Sequence, residues 1–192
     1  ALDEELGYPT EWMPGGRLWV ALEEGRWTEL KDICPQWQAA GIPVQLLDGA
    51  GARAIAPCLA DSTLGGLHTT RGGHANPQRT SQAFAWAFRD RAGEVRENTP
   101  ATGIKVEGGK VVAVETPQSS IATTTVVNCA GPQVALLSAM VGVQVPLAPV
   151  RLEAMVTAPL PRLFDVAMVG NGLSLRQTRR GTADEFGLGD DP

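Results

Sequence analysis

No uninterrupted apolar run in this chain approaches the roughly 18 to 20 residues that a membrane helix needs, so no membrane span is expected. No basic segment followed by an apolar one stands at the start, so no signal peptide is read here. Histidine is scarce: His68 and His74 are the two, and neither has a Cys or His neighbour at zinc-ligand spacing, so no metal site is expected. Cysteine is scarce too. Cys34, Cys58 and Cys129 are odd in number and unrelated in spacing, which reads as reduced, structural thiols of a cytoplasmic protein rather than a disulfide framework. The 16 Lys and Arg are scattered and outnumbered by 21 Asp and Glu, leaving a net charge of −5. A nucleic-acid partner is excluded by that balance, since no basic stripe is available to track phosphates. No Ser-His-Asp or Cys-His arrangement and no carboxylate pair stands out, so hydrolytic chemistry has no support. Internal repeats and low-complexity tracts are absent as well.

What remains is a globular composition of 192 residues, 43% hydrophobic, enough for one sizeable core or two smaller ones. Residues 1–14 read as a short helix and a loop, and 15–22 as a strand entered through Gly15-Gly16. Trp27, Leu30, Ile33, Cys34 and Trp37 fall at the spacing of a core-facing helical stripe over 26–39. Gly41 ends that helix, 43–47 is a strand, and Asp48 caps a helix to about Ala56. Residues 64–70 form a further strand leading to Arg71-Gly72-Gly73-His74-Ala75-Asn76-Pro77. There Asn76 as N-cap and Pro77 at the first helical position predict a helix over 78–91 that buries Phe84, Ala87 and Phe88. Strands are expected at 94–97, 102–107, 111–116 and 121–127, with Gly108-Gly109 as a hairpin turn. A helix is expected from Pro132 to about Val141, and strands at 147–158, 167–169 and 173–178. Gly170-Asn171-Gly172 supplies the turn between the last two. This order predicts a mixed α/β, or α+β, fold with two sheets.

Thr125-Val126-Val127-Asn128-Cys129-Ala130-Gly131-Pro132 carries the clearest chemistry. A β-favouring run, two small residues, a glycine and a restarting helix predict a strand that delivers bare backbone to a ribose or phosphate. A plain strand-to-helix turn accounts for the same residues. The chain opens on Ala1 rather than Met, and 182–192 is a polar stretch without periodicity. Both features read as a piece of a longer chain with an irregular tail.

Gly73-His74-Ala75-Asn76-Pro77, a helix, Glu97 to Ile104, a β-meander and then Val126 to Pro132 resemble, in that running order, the D-amino-acid-oxidase-like flavoproteins. That family includes glycine and sarcosine oxidases and the flavin subunits of proline, hydroxyproline and opine dehydrogenases. Gly15 to Ala21, the Trp-containing helix and Ala40-Gly41-Ile42-Pro43 are similar to its amine-oxidising branch. Val145 to Arg151 and Leu173 to Gly181 are similar to strands of its substrate domain. The resemblance implies FAD as cofactor and a small amino acid or amine as substrate, oxidised at its C–N bond to an imine. It also implies a possible partner subunit in a hetero-oligomeric dehydrogenase. It divides the chain into a first part of the substrate domain (1–72), the inner part of the FAD domain (73–142), a second part of the substrate domain (143–181) and the tail (182–192).

For the site, the resemblance implies Ala101, Ala130, Gly131 and Gly73 as FAD contacts and places His74 near the flavin ring. Arg176 is the candidate for a substrate carboxylate, since Arg grips such groups through two donors. Gln177 beside it points to the other face of the strand, and only one of the two can face the flavin. Arg151 is a further candidate cation, and local structural roles are the alternative for His74, Arg151 and Arg176. The family's G-x-G-x-x-G turn for the ADP half of FAD has no counterpart here. Gly187-Leu188-Gly189 is followed by Asp190-Asp191-Pro192 and no helix. A central fragment that by itself holds FAD weakly or not at all is therefore expected. A truncated, non-catalytic domain that folds or binds a partner is the competing reading, and a hydroxy-acid oxidase on the same fold is a third.

Overall fold

The computed structural model describes residues 2–188. They form two compact units: the first 92 residues together with those from Arg151 onward, and residues 93–150.

The first unit is built on a seven-stranded sheet of β2 (Arg17–Ala21), β3 (Val44–Asp48), β4 (Gly65–Thr69), β9 (Leu152–Val156), β10 (Ala167–Gly170), β11 (Leu173–Gln177) and β12 (Ala183–Leu188). Their order across the sheet is β3-β4-β2-β10-β11-β12-β9. β10 runs parallel to β2, and the other neighbours are antiparallel. The mixed sheet agrees with the expected fold class. Alternation along β2 builds both halves of the core, because Leu18 and Trp19 must point to opposite faces. On one face α2 (Glu24–Ala39) packs Trp27, Ile33 and Trp37 with Trp19, Ala21, Leu30, Cys34, Val44 and Leu67, and Trp19 and Trp37 meet edge-on at 4.8 Å. On the other, Leu18, Val20 and Met168 meet Phe164, Val166 and Ala52 of α3 (Gly49–Ile55). Each large apolar side chain so buried contributes about 1.5–3 kcal/mol.

The stops and starts are those the sequence encodes. α2 ends where the Gly41 N–H donates to Gln38 O at 3.0 Å and the Ile42 N–H to Trp37 O at 2.9 Å, the paired bonds of a Schellman turn. Asp48 Oδ1 accepts from the Gly51 N–H at 2.7 Å and caps α3. Asn76 Oδ1 accepts from the Arg79 N–H at 3.1 Å and caps α4 (Pro77–Asp90). α1 (Leu2–Leu6) lies against α4, where Leu6 and Tyr8 cover Ala83 and Ala87. Two short strands, β1 (Met13–Pro14) and β5 (Gly73–His74), pair antiparallel, Met13 opposite His74.

Several expectations need correction. On α4 the buried residues are Ala83 and Ala87, while Phe84 and Phe88 are about half exposed. The small side chains face α1 because they permit close helix approach. Residues 182–192 are not wholly irregular: Ala183–Leu188 is β12, held between β11 and β9. Backbone pairing to both neighbours makes it a strand although its sequence shows no clean alternation, and 189–192 lie outside the described residues. The strand expected at 147–158 is confined to Leu152–Val156. No strand forms at 94–97, where Glu94 and Arg96 instead pair with one another at 2.7 Å on an exposed segment.

The second unit holds an antiparallel sheet of β6 (Gly103–Glu107), β7 (Lys110–Glu115) and β8 (Ser120–Ala122), with Gly108-Gly109 turning the first hairpin. The strand expected over 121–127 ends at Ala122, and 125–130 runs on with no ladder partner among the described residues, leaving Val127 80% exposed. A 3₁₀ turn at Gly131–Gln133 leads into α5 (Val134–Ala139). The sequence boundaries at 72/73 and 142/143 separate presumed ligand roles, whereas packing divides the chain at 92/93 and 150/151.

Candidate active site

A cavity of about 280 Å³ opens in the first unit where β11, β12 and β9 run past β5 and the start of α4. Register puts Arg176 of β11 opposite Asp184 of β12, and Asp184 opposite Val156 of β9, so these three form one row on one face of the sheet. His74 arrives from β5, Asn76 from the cap of α4, and Thr178, Arg179, Arg180 and Thr182 from the β11–β12 connection. Glu11 closes the wall.

The charges are mostly matched. Arg176 donates from Nη2 and Nε to Asp184 Oδ2 at 3.0 and 3.2 Å, and from Nη1 to Ala75 O at 2.9 Å. Both partners of that pair are largely buried, at 17% and 12% side-chain exposure. Arg180 Nη2 donates to Glu11 Oε1 at 2.8 Å, and Asn76 Nδ2 donates to Glu11 Oε2 at 2.9 Å. These two bonds, Arg180 first, hold the Glu11 carboxyl below its ordinary range. Glu11 sits at φ 55°, the left-handed region that non-glycine residues rarely occupy. Arg179 Nη2 donates to Trp12 O at 3.3 Å, and no carboxylate lies within ion-pair distance of it among the described residues.

His74 is held neutral. Burial is the largest cause, the Arg176 charge adds to it, and a hydrogen bond with the Gln177 backbone works in the opposite sense. Its Nε2 is buried without a hydrogen-bond partner. An orphaned ring nitrogen at a cavity wall is an unmet bond that a ligand can satisfy.

The structure thus brings His74 and Arg176 together and places the other sequence candidates elsewhere. Gln177, 1% exposed, points to the opposite face from Arg176. Its amide accepts from the Leu163 N–H at 2.8 Å and donates to Pro161 O at 2.9 Å and Gly181 O at 3.1 Å. That amide is committed to holding the loop before β10. Arg151 is 85% exposed and pairs with Glu153 at 2.8 Å, away from the cavity. Gly73 is glycine for a packing reason: a Cβ there would stand 2.1 Å from Met13 O and 2.9 Å from the Trp12 ring. Ala101, Ala130 and Gly131 belong to the second unit.

Glu11, Arg179, Arg180 and Asp184 are the cavity residues that sequence reasoning missed. Asp184 was findable, since reading 183–188 as a strand pairs it with Arg176 across a hairpin. Glu11 carries no sequence signal: its φ of 55° and its bonds to Asn76 and Arg180 follow no local motif.

Part of a flavin site fits what is present. Gly131, at φ 54°, has no atom within 4 Å of where a Cβ would stand, so its backbone is bare. The turn before it is fixed by Asn128, whose Nδ2 donates to Val134 O at 2.9 Å and to Ser138 Oγ at 3.1 Å while Oδ1 accepts from the Ala130 N–H at 3.2 Å. A rigid, uncovered backbone suits a flat ring or a ribose.

Residues 1–186 match the model of the family described as DAO, FAD dependent oxidoreductase. Over 152 residues the chain is 36% identical to mitochondrial sarcosine dehydrogenase of Homo sapiens, covering 76% of this chain and 17% of that protein. It is 25% identical over 175 residues to sarcosine oxidase subunit beta of Rhodobacter capsulatus, covering 88% of this chain and 42% of that protein. Among solved structures, glycine oxidase from Geobacillus kaustophilus superposes with a TM-score of 0.89 at 23% identity, over 96% of this chain and 51% of that one. The chain therefore spans less than half the length of these curated relatives and about half of that solved neighbour.

Proposed function

The chain belongs to the DAO family of FAD-dependent oxidoreductases, and from that premise we propose that its parent protein oxidises the C–N bond of a small amino acid or secondary amine to an imine. Sarcosine-, glycine-, proline- and opine-like compounds are the substrate class. One observation carries the reading: the cavity joins guanidinium groups to a neutral histidine whose Nε2 is unpartnered. It suits a small molecule bearing a carboxylate and an amine.

Imine formation removes a hydride from the carbon next to nitrogen and a proton from the nitrogen. Bound FAD supplies the two-electron acceptor, which no side chain here can replace. Ala101, Ala130, Gly131 and the flavin-side stretch 73–142 would hold part of it. Arginine at the cavity wall orients the substrate through its carboxylate. His74, held neutral, offers Nε2 rather than a second positive charge to the substrate amine. Asp184 and Glu11 fix the arginines so that the cavity keeps its shape when empty.

The remaining contacts to FAD are proposed to lie outside these 192 residues, because the chain covers 51% of the solved neighbour and contains no G-x-G-x-x-G turn before a helix. By itself it would then hold FAD weakly and be inactive. A partner subunit and a reducing compartment such as the cytoplasm are part of the same reading; the named β subunit and three free cysteines support them. The test is dye-linked turnover of sarcosine, glycine and proline by the complete protein. Turnover of 2-hydroxy acids instead would sink the proposal.

A further inference from the structure

Adjacent residues of β11 hold the adjacent pair His74 and Ala75. Arg176 Nη1 donates to Ala75 O at 2.9 Å, while its Nε and Nη2 are held by Asp184 Oδ2 at 3.2 and 3.0 Å. One residue further, the Gln177 backbone bonds the His74 ring. That bond favours the protonated ring, so the partner is the Gln177 carbonyl, and Arg162 Nη1 donates to the same oxygen at 3.2 Å. Since Nε2 has no partner, the bonded ring nitrogen is Nδ1. A carbonyl has no proton to give, so Nδ1 carries it, and in the neutral ring Nε2 keeps a lone pair. We propose that Arg176 is a positioning residue: clasped by Asp184, it pins the Ala75 carbonyl beside His74, so that Nε2 stands at the cavity wall as a bare acceptor that selects ligands carrying an N–H. The proposal rests on the amine-oxidation reading for the ligand's chemistry, but the hydrogen bonds behind it do not.

The charges around His74 keep its ring an acceptor. Arg176 on β11 and Arg162 in the loop before β10 oppose a further positive charge there, and Asp184 on β12 favours one. β1 sets Met13 opposite His74 and adds no charge, and the cap of α4 brings the neutral Asn76. Glu11 draws Arg180 and Arg79 to itself, at 2.8 and 3.9 Å. A buried lone pair left without a donor is costly, and a ligand N–H removes that cost. Primary, secondary and tertiary amines all bear such a proton as ammonium ions. A quaternary nitrogen bears none.

The test has two parts. With isotope-labelled histidine, the chain gives ring NMR signals from His68 and His74 alone, and His68 does not line the cavity. At neutral pH the His74 proton should be found on Nδ1 and not on Nε2. Arg176→Gln removes the cation and leaves Asp184 unpaired, so the His74 titration should move upward. Arg176→Lys restores the charge and should bring it back towards the unaltered position. A merely structural role would lower the melting temperature of both variants and leave that titration in place. In the complete protein, anaerobic calorimetry with N-methylglycine, N,N-dimethylglycine and trimethylglycine should show its loss at the last step, with about tenfold or more weaker binding of the compound that has no N–H. Arg176→Gln should narrow that gap. A proton on Nε2, a His74 titration indifferent to Arg176→Gln in a folded variant, trimethylglycine bound as tightly as N,N-dimethylglycine, or no binding of any of the three would overturn the inference. The ring protonation and the ligand series are both read on unaltered protein, so they decide the matter even where a variant fails to fold. Binding that requires an N–H, with no amine oxidised by the complete protein, would leave the inference standing and remove the proposed function.

Discussion

Asn76 and Glu11, 65 residues apart, are joined by a 2.9 Å hydrogen bond while the same Asn76 caps α4 through its other amide atom. The cap that starts the helix and the wall of the cavity are therefore one side chain. Asn76→Ala should cost about 1 kcal/mol for the cap alone, and more because Glu11 loses a donor. Asn76→Asp retains the cap but sets a second carboxylate beside Glu11, raising the Glu11 pKa. Denaturant unfolding and a carboxyl titration separate the two effects.

Gln177→Ala should destabilise by about 1–3 kcal/mol, since it strands the Leu163 N–H and the carbonyls of Pro161 and Gly181. Arg151→Ala, at an exposed site, should stay within about 0.5 kcal/mol of the unaltered chain. Equal effects of the two substitutions in urea denaturation would contradict the assignment of Gln177 to loop support.

Much of the fold was legible because it rests on local chemistry. Asp48, Asn76-Pro77 and Gly41 mark helix ends whatever their surroundings, and the stripe from Trp27 to Trp37 has a single way to face a sheet. The misreadings share a cause. Phe84 and Phe88 were assigned to the core on hydrophobicity, but close packing against α1 selected the alanines. β12 has no alternating apolar pattern to mark it, and backbone pairing to both neighbours makes it a strand. The cavity brings together His74 and Arg176, both of which the sequence offers as candidates. Arg179, Asp184 and Glu11 line it with no motif to mark them, because the fold decides which charges meet.

Gly73→Ala should push β5 away from β1, since the added methyl would meet the Met13 carbonyl and the Trp12 ring. His74 moves with its strand. The expected result is a lower melting temperature together with a shifted His74 ring signal. An unaltered histidine spectrum would show that the β1–β5 contact does not position that ring.

Burial holds His74 and His68 below the ordinary histidine pKa of 6.5. Above that pH both are neutral whether folded or unfolded, and their contribution is fully present. As pH falls below 6.5 the unfolded chain takes up protons that the folded chain refuses, so stability declines until the folded pKa values are passed. Glu11, held below its ordinary 4.5, adds a second loss at lower pH as its ion pairs are protonated away. Unfolding measured from pH 7.5 to 4 should show the histidine loss first, and His74→Gln should reduce it.

The central claim is flavin-linked oxidation of a C–N bond, and anaerobic addition of N-methylglycine to the complete purified protein tests it most directly. The account predicts that the visible flavin absorption bleaches with N-methylglycine and is unaffected by 2-hydroxy acids. A complete protein that carries no flavin, or a flavin reduced by 2-hydroxy acids and untouched by amines, would contradict it.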